Sequence, residues 1–332
     1  MTTPALRARQ AALVVNPVKT DAPRLAKMLH TLSLAAGWAE PLILETSIED
    51  PGQQITRQAL ADGVAAVLVA GGDGTVRAVS EVMAGSDVPL AIVPSGTGNL
   101  LARNLHLPLD DAIGVMRAVF EGFTHPIDIG WAEFTRPDGS KDEHAFVVLA
   151  GIGLDADMIA NTRPGLKKSM GWVAYVDGAA RSLPGAKPFR VVYQASGQRL
   201  HTARVHSMLF ANCGALPAGI ALMPDASITD GDLDIALIQA RGPLGWLAVW
   251  RTVWWQNSVL RRSEAGRRVI KLTGTNNSIK FLQAANVEAA VETPTSVELD
   301  GDEFGVAVNV RCRVDAGALR VVLPKEHDTS GI

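Results

Sequence analysis

The sequence predicts an α/β domain built on a parallel sheet, followed by a mainly β domain of sandwich or barrel type. Three observations predict it. Up to about residue 126, short apolar runs alternate with stretches of helical spacing. Beyond that point strand-like runs follow one another, most of them separated by turn residues. The chain has 332 residues, which suits two domains at roughly 150 residues each.

The elements follow in order. Ala11 to Val15 is short, wholly apolar and stopped by Asn16-Pro17, so it reads as a buried strand. Ala22 to Ala36 carries Leu25, Met28, Leu29 and Leu32 at helical spacing. Pro41 to Glu45 is the second strand, and Gln53 to Ala61 the second helix. Val64 to Ala70 is a continuous apolar strand stopped by Gly71-Gly72-Asp73-Gly74. Thr75 to Ala84 puts Val76, Val79 and Met83 on one helical face. Leu90 to Val93 is a strand before Pro94-Ser95-Gly96-Thr97-Gly98, and Leu100 to Leu105 and Asp110 to Glu121 are helical. This rhythm means a parallel sheet covered by helices. Strands are then expected at Trp131 to Phe134, Ala145 to Leu149, Arg190 to Gln194, Arg204 to Asn212, Leu233 to Ile238, Val269 to Leu272, Ser278 to Leu282, Ser296 to Leu299 and Leu319 to Leu323. Helical stretches interrupt them around Met170 to Ser182 and Leu244 to Arg262.

Composition narrows the function. With 47% hydrophobic and 20% charged residues the chain is no disordered segment. A net charge near −3 argues against a nucleic-acid binder. Two cysteines, Cys213 and Cys312, make neither a disulfide framework nor a cysteine zinc site, which fits a cytoplasmic location. The first ten residues lack the apolar core of a signal peptide, and no apolar run reaches the ~18 residues of a membrane helix. Membrane contact is therefore expected to be peripheral.

Chemistry concentrates in two loops. Ala70 to Thr75 brings a glycine-rich turn from a buried strand to a helix start, where unpaired N–H groups suit a phosphate. Asp73 would repel a bare phosphate unless a divalent cation bridges the two, or it could simply cap the helix; both readings stand open. Pro94 to Asn99 repeats the arrangement after the next strand, and ligands of open α/β sheets lie beyond the carboxyl ends of strands. Arg103, one helical turn after Asn99, could reach the same anion. Other signatures fail: there is no Walker loop, no GxSxG and no HExxH. The GxGxxA run from Gly151 to Ala156 has no βαβ unit after it and reads as a structural turn.

Asn16-Pro17, Gly71 to Thr75, and Pro94 to Asn99 with Ala102-Arg103 together resemble the catalytic domain of diacylglycerol and sphingosine kinases. The likeness continues through Asp128-Ile129-Gly130, Gly151 to Ala156, Asp230-Gly231 with Leu233-Asp234, and Asp300-Gly301. It spans roughly residues 11 to 323 and is greatest to the bacterial soluble diacylglycerol kinases. The resemblance implies an NAD kinase-like nucleotide domain at 9–130, with about 312–324 returning to it, a β-sandwich lipid-substrate domain at 131–311 and a tail at 325–332. It implies ATP bound in a cleft by Asn16, Pro17, Thr46, Gly71, Gly72, Asp73, Gly74, Thr75, Gly96 and Thr97, with Arg103 adding positive charge. It implies a structural Mg2+ held by Asp230 with backbone carbonyls near Ser227 and Asp232. Catalysis would fall to Asp302 as base, with Asp73 and Asp128 organising metal or phosphate.

The expected activity is ATP- and magnesium-dependent phosphorylation of a lipid alcohol, diacylglycerol first. A sphingoid base or another lipid, a silent nucleotide- or lipid-binding regulator and, further off, NAD kinase are the alternatives. Three departures from the family pattern stand out. Arg77 and Ala78 replace its Asn-Glu, Leu100 replaces an Asp, and Asp302 replaces the Glu of Asp-Gly-Glu. Residues 241 to 271 carry seven cations against Glu264 alone. There Trp246, Trp250 and Trp254 share a helical face, with Trp255 beside them. That segment suits an anionic membrane surface, or a helix packed on the β domain with its basic end in water. The sequence leaves a homodimer open.

Overall fold

The computed structural model describes residues 8–153, 187–214, 223, 226–239, 278–330 and 332. The helices expected around 170–182 and 244–262, the strand at 269–272 and the Trp/Arg segment lie outside these residues. The chain forms two compact units, Met1–Ile127 with Gly317–Ile332, and Asp128–Ala316. It crosses from one to the other within strands, so the boundaries fall at 127/128 and 316/317 where 130/131 and about 311/312 were expected.

The first unit is a parallel sheet in the order β2 (Leu42–Glu45), β1 (Ala11–Val15), β3 (Ala66–Gly71), β4 (Leu90–Pro94). The last residues of β14 (Asp302–Leu323) add beside β4, with Val321 opposite Leu90. β1, β3 and β4 are buried along their whole length, which is why their sequences are unbroken apolar runs. Helix α1 (Ala22–Ala35) starts where the Asp21 side chain accepts the Arg24 N–H, and it buries Ala22, Leu25, Leu29 and Ser33 on one stripe. α2 (Gln53–Ala61), α3 (Asp73–Met83), α4 (Leu100–Asn104) and α5 (Ala112–Glu121) complete the layers. α1 and α5 pack on one core with Leu13, Leu68 and Val93. α2 packs against α3. The strand order reverses direction between β1 and β3, and a crevice opens at such a point beyond the carboxyl ends.

The second unit is antiparallel. Its strands are β5 (Phe123–Thr135, from Asp128 on), β6 (Lys141–Phe146), β7 (Leu149–Ile152), β8 (Phe189–Ala195), β9 (His201–Val205), β10 (Ser207–Ala211), β11 (Leu233–Ile238), β12 (Ile279–Ala284), β13 (Asn286–Leu299) and the first part of β14. They run in the order β12-β11-β10-β7-β13, with β13 also pairing β8 and β14. The core gathers Phe134, Phe146, Tyr193, Phe210, Ile235 and Val287. Cys213 and Cys312 are both free and buried. Burial pushes both thiols up, and the nearby Asp300 and Asp128 carboxylates raise Cys213 further.

Two expected strands are broken. Arg204 to Asn212 divides at His206 into β9 and β10. Ala145 to Leu149 divides at Val147-Val148 into β6 and β7, and the cause is Asp300. Its carboxylate accepts the N–H groups of Val147 (2.9 Å), Val148 (2.8 Å) and Leu149 (2.9 Å), while its own N–H donates to the Leu149 carbonyl (2.8 Å). Those N–H groups are thereby turned out of the ladder. The GxGxxA run, expected as a structural turn, begins as strand, with Gly151 and Ile152 inside β7 and 154–156 outside the described residues.

Asp300 is 4% exposed, so its bonds are made out of water. Asp300→Ala should lower the stability of the full chain by at least about 3 kcal/mol, because three donors lose a charged acceptor at once. Chemical denaturation measures this, and wild-type stability in the variant would show that the 147–149 backbone bends without help.

Candidate active site

In the first unit the site begins where β1 ends. Asn16 donates its backbone N–H to Ala70 (2.8 Å), and its Oδ1 accepts the Val18 N–H (3.0 Å). Its Nδ2 reaches the Thr75 hydroxyl (3.4 Å), tying the β1 loop to the first turn of α3. Thr46 sits at the end of neighbouring β2, buried, with its N–H on the Val15 carbonyl (2.9 Å). Pro17 and Thr97 are exposed at the tips of their loops. β3 ends at Gly71, and Gly72 is the N-cap of α3, bringing no side chain to close the helix end. A side chain at Gly72 would meet nothing within 4 Å, so the backbone there is open to a ligand.

The two glycine loops are built against each other. A Cβ at Gly96 would lie 3.3 Å from the Gly72 Cα, and one at Gly98 would collide with the Asp73 carboxylate. That carboxylate accepts the Leu100 N–H through Oδ1 (2.7 Å). Asp73 therefore caps α4, a helix across the gap, where its own helix was the expected alternative. Asn99 closes the second loop from a left-handed conformation (φ 48°). Its Oδ1 accepts the Gly96 N–H (2.9 Å), and its Nδ2 donates to the Gly96 carbonyl (2.7 Å). Arg103 donates Nε to the Gly98 carbonyl (2.7 Å). Asn16, Thr75, Gly71, Gly72, Asp73, Gly96 and Arg103 thus belong to one continuous scaffold. Such a cradle of glycines and helix starts fits a polyphosphate.

The second unit holds the acidic residues. Asp128 is buried, and its carboxylate accepts the Gly231 N–H (2.8 Å). Its backbone N–H donates to Ile228 (2.7 Å) and its carbonyl accepts Asn212 Nδ2 (3.0 Å). Asp128 thereby anchors the loop that carries Asp230. Asp230 Oδ1 accepts the Asp232 N–H (3.1 Å), and Ser227 Oγ lies 3.0 Å from Thr229 Oγ1. Burial raises the Asp230 carboxyl above its ordinary range, and the charges of Asp232 and Asp128 raise it further. Among the described residues no three side chains of His, Cys, Asp or Glu gather into a metal cage. Asp230 is the carboxylate of this loop that a hard cation could take.

Asp300 and Gly301 form the two-residue turn between β13 and β14, both at positive φ (50° and 88°), with Leu299 opposite Asp302. Asp302 and Glu303 are exposed at the start of β14. Asp300, a second candidate for the base by its place in the motif, has its oxygens occupied by backbone donors. Of the supporting residues, Asn99 ended the expected Pro94–Asn99 loop without a role of its own, and Asn212 was not singled out. Asn212, a single Asn after a strand, carries no pattern, whereas the αL requirement at the end of a glycine loop is the signal for the role of Asn99.

Comparison with known proteins agrees with this arrangement. Residues 10–132 match the diacylglycerol kinase catalytic domain, and residues 146–323 match the YegS C-terminal NAD kinase beta sandwich-like domain. A diacylglycerol kinase of Mycobacterium tuberculosis is 31% identical over 196 residues, covering 59% of this chain. That match spans 62% of the mycobacterial protein's length. A protein of Pseudomonas aeruginosa described as a probable lipid kinase, YegS-like, is 29% identical over 82% of this chain and 81% of its own. A Bacillus anthracis diacylglycerol kinase structure superimposes with a TM-score of 0.71 at 21% identity, covering 98% of this chain and 99% of that one. An Archaeoglobus fulgidus NAD kinase in complex with ATP gives 0.51 at 13% identity, covering 96% and 95%. These structures establish the fold, an α/β domain followed by a β-sandwich. With both domain families matched in order along one chain, the protein belongs to the diacylglycerol kinase and YegS-like family of lipid kinases.

Proposed function

We propose that this chain transfers the γ-phosphoryl group of ATP to the hydroxyl of a lipid alcohol, diacylglycerol first. The observation that carries the reading is the interlocked pair of glycine loops at the sheet's switch point, joined by Asp73 and Leu100. Phosphoryl transfer asks a protein for positioning and charge neutralisation more than for covalent chemistry. The loops, with Asn16 and Thr75, orient the triphosphate, and Arg103 brings positive charge to the same loop. The lipid oxygen attacks the γ-phosphorus, the bond to the β–γ bridging oxygen breaks, and ADP leaves. Asp302 takes the hydroxyl proton. Asp230, with backbone oxygens near Ser227 and Asp232, would hold Mg2+, which supplies charge neutralisation when bound. Asp128 supports that loop from beneath. Product would be phosphatidic acid, made by a cytoplasmic protein acting at a membrane surface. No described helix is long and apolar enough to cross a bilayer. The Trp/Arg segment would supply the surface contact.

Asp302 is one methylene shorter than the family Glu, and this favours a second reading as a silent nucleotide-binding regulator. Asp302→Asn decides between them. For a kinase, kcat on diacylglycerol should fall at least roughly 10²-fold with ATP binding unchanged. A wild type that binds ATP and phosphorylates no lipid establishes the regulator.

Asp73→Asn should fold normally, since the amide oxygen can still accept the Leu100 N–H, yet lose most turnover with the charge. Near-normal activity would reduce Asp73 to a helix cap.

Asp230 gives a pH signature. Its folded pKa is raised, so the stability tied to it is present at low pH and is lost as pH rises through the folded value. Asp230→Asn should therefore raise Tm at pH 7 without Mg2+, the gain vanishing below about pH 4. Added Mg2+ should stabilise wild type and not the variant. Equal Mg2+ responses would place the cation elsewhere.

A further inference from the structure

β14 carries an irregularity immediately after the turn. Glu298 pairs with Glu303 and Ser296 with Val306, so Phe304 and Gly305 together face Val297 alone. This is a β-bulge with Gly305 at φ 73°, a left-handed position that glycine adopts without strain. A bulge bends its strand and re-aims the side chains beside it, and it frees carbonyls from the ladder. Here those carbonyls are met by one side chain. Arg136 Nη1 donates to the Phe304 carbonyl (2.7 Å) and to the Val306 carbonyl (3.0 Å), bracketing Gly305.

The guanidinium is itself fixed. Nε and Nη2 form a fork on the Asp142 carboxylate (2.6 and 2.5 Å), and His144 Nε2 stands 3.0 Å from Asp142 Oδ2. The group also lies over the Phe134 ring, 4.9 Å from its centroid. Arg136 follows β5 and Asp142 lies on β6, so this hairpin, whose β5 already pairs β14, also grips the start of β14 through a side chain. At the other end of the same segment, the buried Asp300 pins the turn to Val147–Leu149. Asp302 and Glu303 lie between these two fixed points, paired with Leu299 and Glu298 of β13.

We propose that Arg136 is a positioning residue for Asp302, clamping the bulge through the Phe304 and Val306 carbonyls so that the shorter carboxylate is held at one place. The proposal rests on the reading of Asp302 as the base. Its physical sense is that an acid one methylene short has little slack: proton transfer needs heavy atoms within about 2.6–3.2 Å. A strand end free to shift by about 1 Å forfeits as much as 10²-fold. Lys could not replace Arg136, because only a planar fork can engage a carboxylate on one edge and two carbonyls on the other.

The test compares wild type, Arg136→Gln, Asp302→Asn and the double variant, with ATP and diacylglycerol in mixed micelles. Arg136→Gln should lower kcat roughly 10- to 100-fold with KM for ATP unchanged. It should add nothing once Asp302 is already Asn, because residues acting through one group are non-additive. Arg136→Lys should behave like Arg136→Gln. Additive losses in the double variant, or wild-type kcat in Arg136→Lys, overturn the proposal while leaving Asp302 as base. A fully active Asp302→Asn overturns the base reading instead, and with it the catalytic purpose of the clamp. Amide hydrogen exchange gives a readout without turnover. Exchange over residues 302–306 should quicken about tenfold in Arg136→Gln, with β10 and β11 unchanged. Unaltered exchange there overturns the clamp outright. If Arg136→Gln fails to fold, Asp142→Asn loosens the same guanidinium and carries the same expectations at smaller size.

Discussion

A carboxylate taken out of water must be met by donors, and in this chain the donors are backbone N–H groups of distant loops. Asp128 takes the N–H of Gly231 and Asp300 those of Val147, Val148 and Leu149, and the half-buried Asp73 takes that of Leu100. Each bond ties a glycine-bearing turn to a part of the fold remote in sequence. Packing builds the strands and helices, but these contacts decide where the loops end. The residues to which the function has been assigned lie in these loops or at the element ends beside them.

That arrangement explains why acidic residues outnumber what the chemistry asks of them. Asp128 and Asp300 read in the sequence as members of motifs, and motifs invite catalytic roles. In the fold both carboxylates are buried and engaged, and they support neighbours that are more exposed, Asp230 and Asp302. The motif is a unit of two jobs, one residue anchoring and the next presenting. The same division holds in the first unit, where Asn99 shapes its loop and Gly96 and Gly98 clear the space that the loop needs.

Much of the fold was legible. The helix Gln53–Ala61 and the strand at Ala11–Val15 fall where their patterns put them, because buried parallel strands and amphipathic helices impose unmistakable periods. The glycine loops were legible for the same reason, being turns between such elements. The long β14 was read only at Leu319 to Leu323, although Val306, Val308, Val310, Cys312 and Val314 alternate with other residues at strand spacing. What no local signal records is its partner β13 and the bulge near Gly305 that shifts the register. Nor could the break at Val147-Val148 be seen, since both are Val, the residue most at home in a strand. Its cause lies about 150 residues away. Arg136 was invisible as well, because an arginine at the end of a hairpin is ordinarily a solvated charge.

The burial of Cys213 and Cys312 has a practical side. A thiol becomes nucleophilic only as thiolate, and both are held protonated in apolar surroundings. The native chain is therefore nearly silent toward maleimides and other thiol reagents without any cysteine being removed. A cysteine introduced at an exposed apolar tip such as Val18 or Ile48, in the loops beyond the carboxyl ends of β1 and β2, would be a lone reactive handle. A fluorophore placed there would report directly on what enters the crevice.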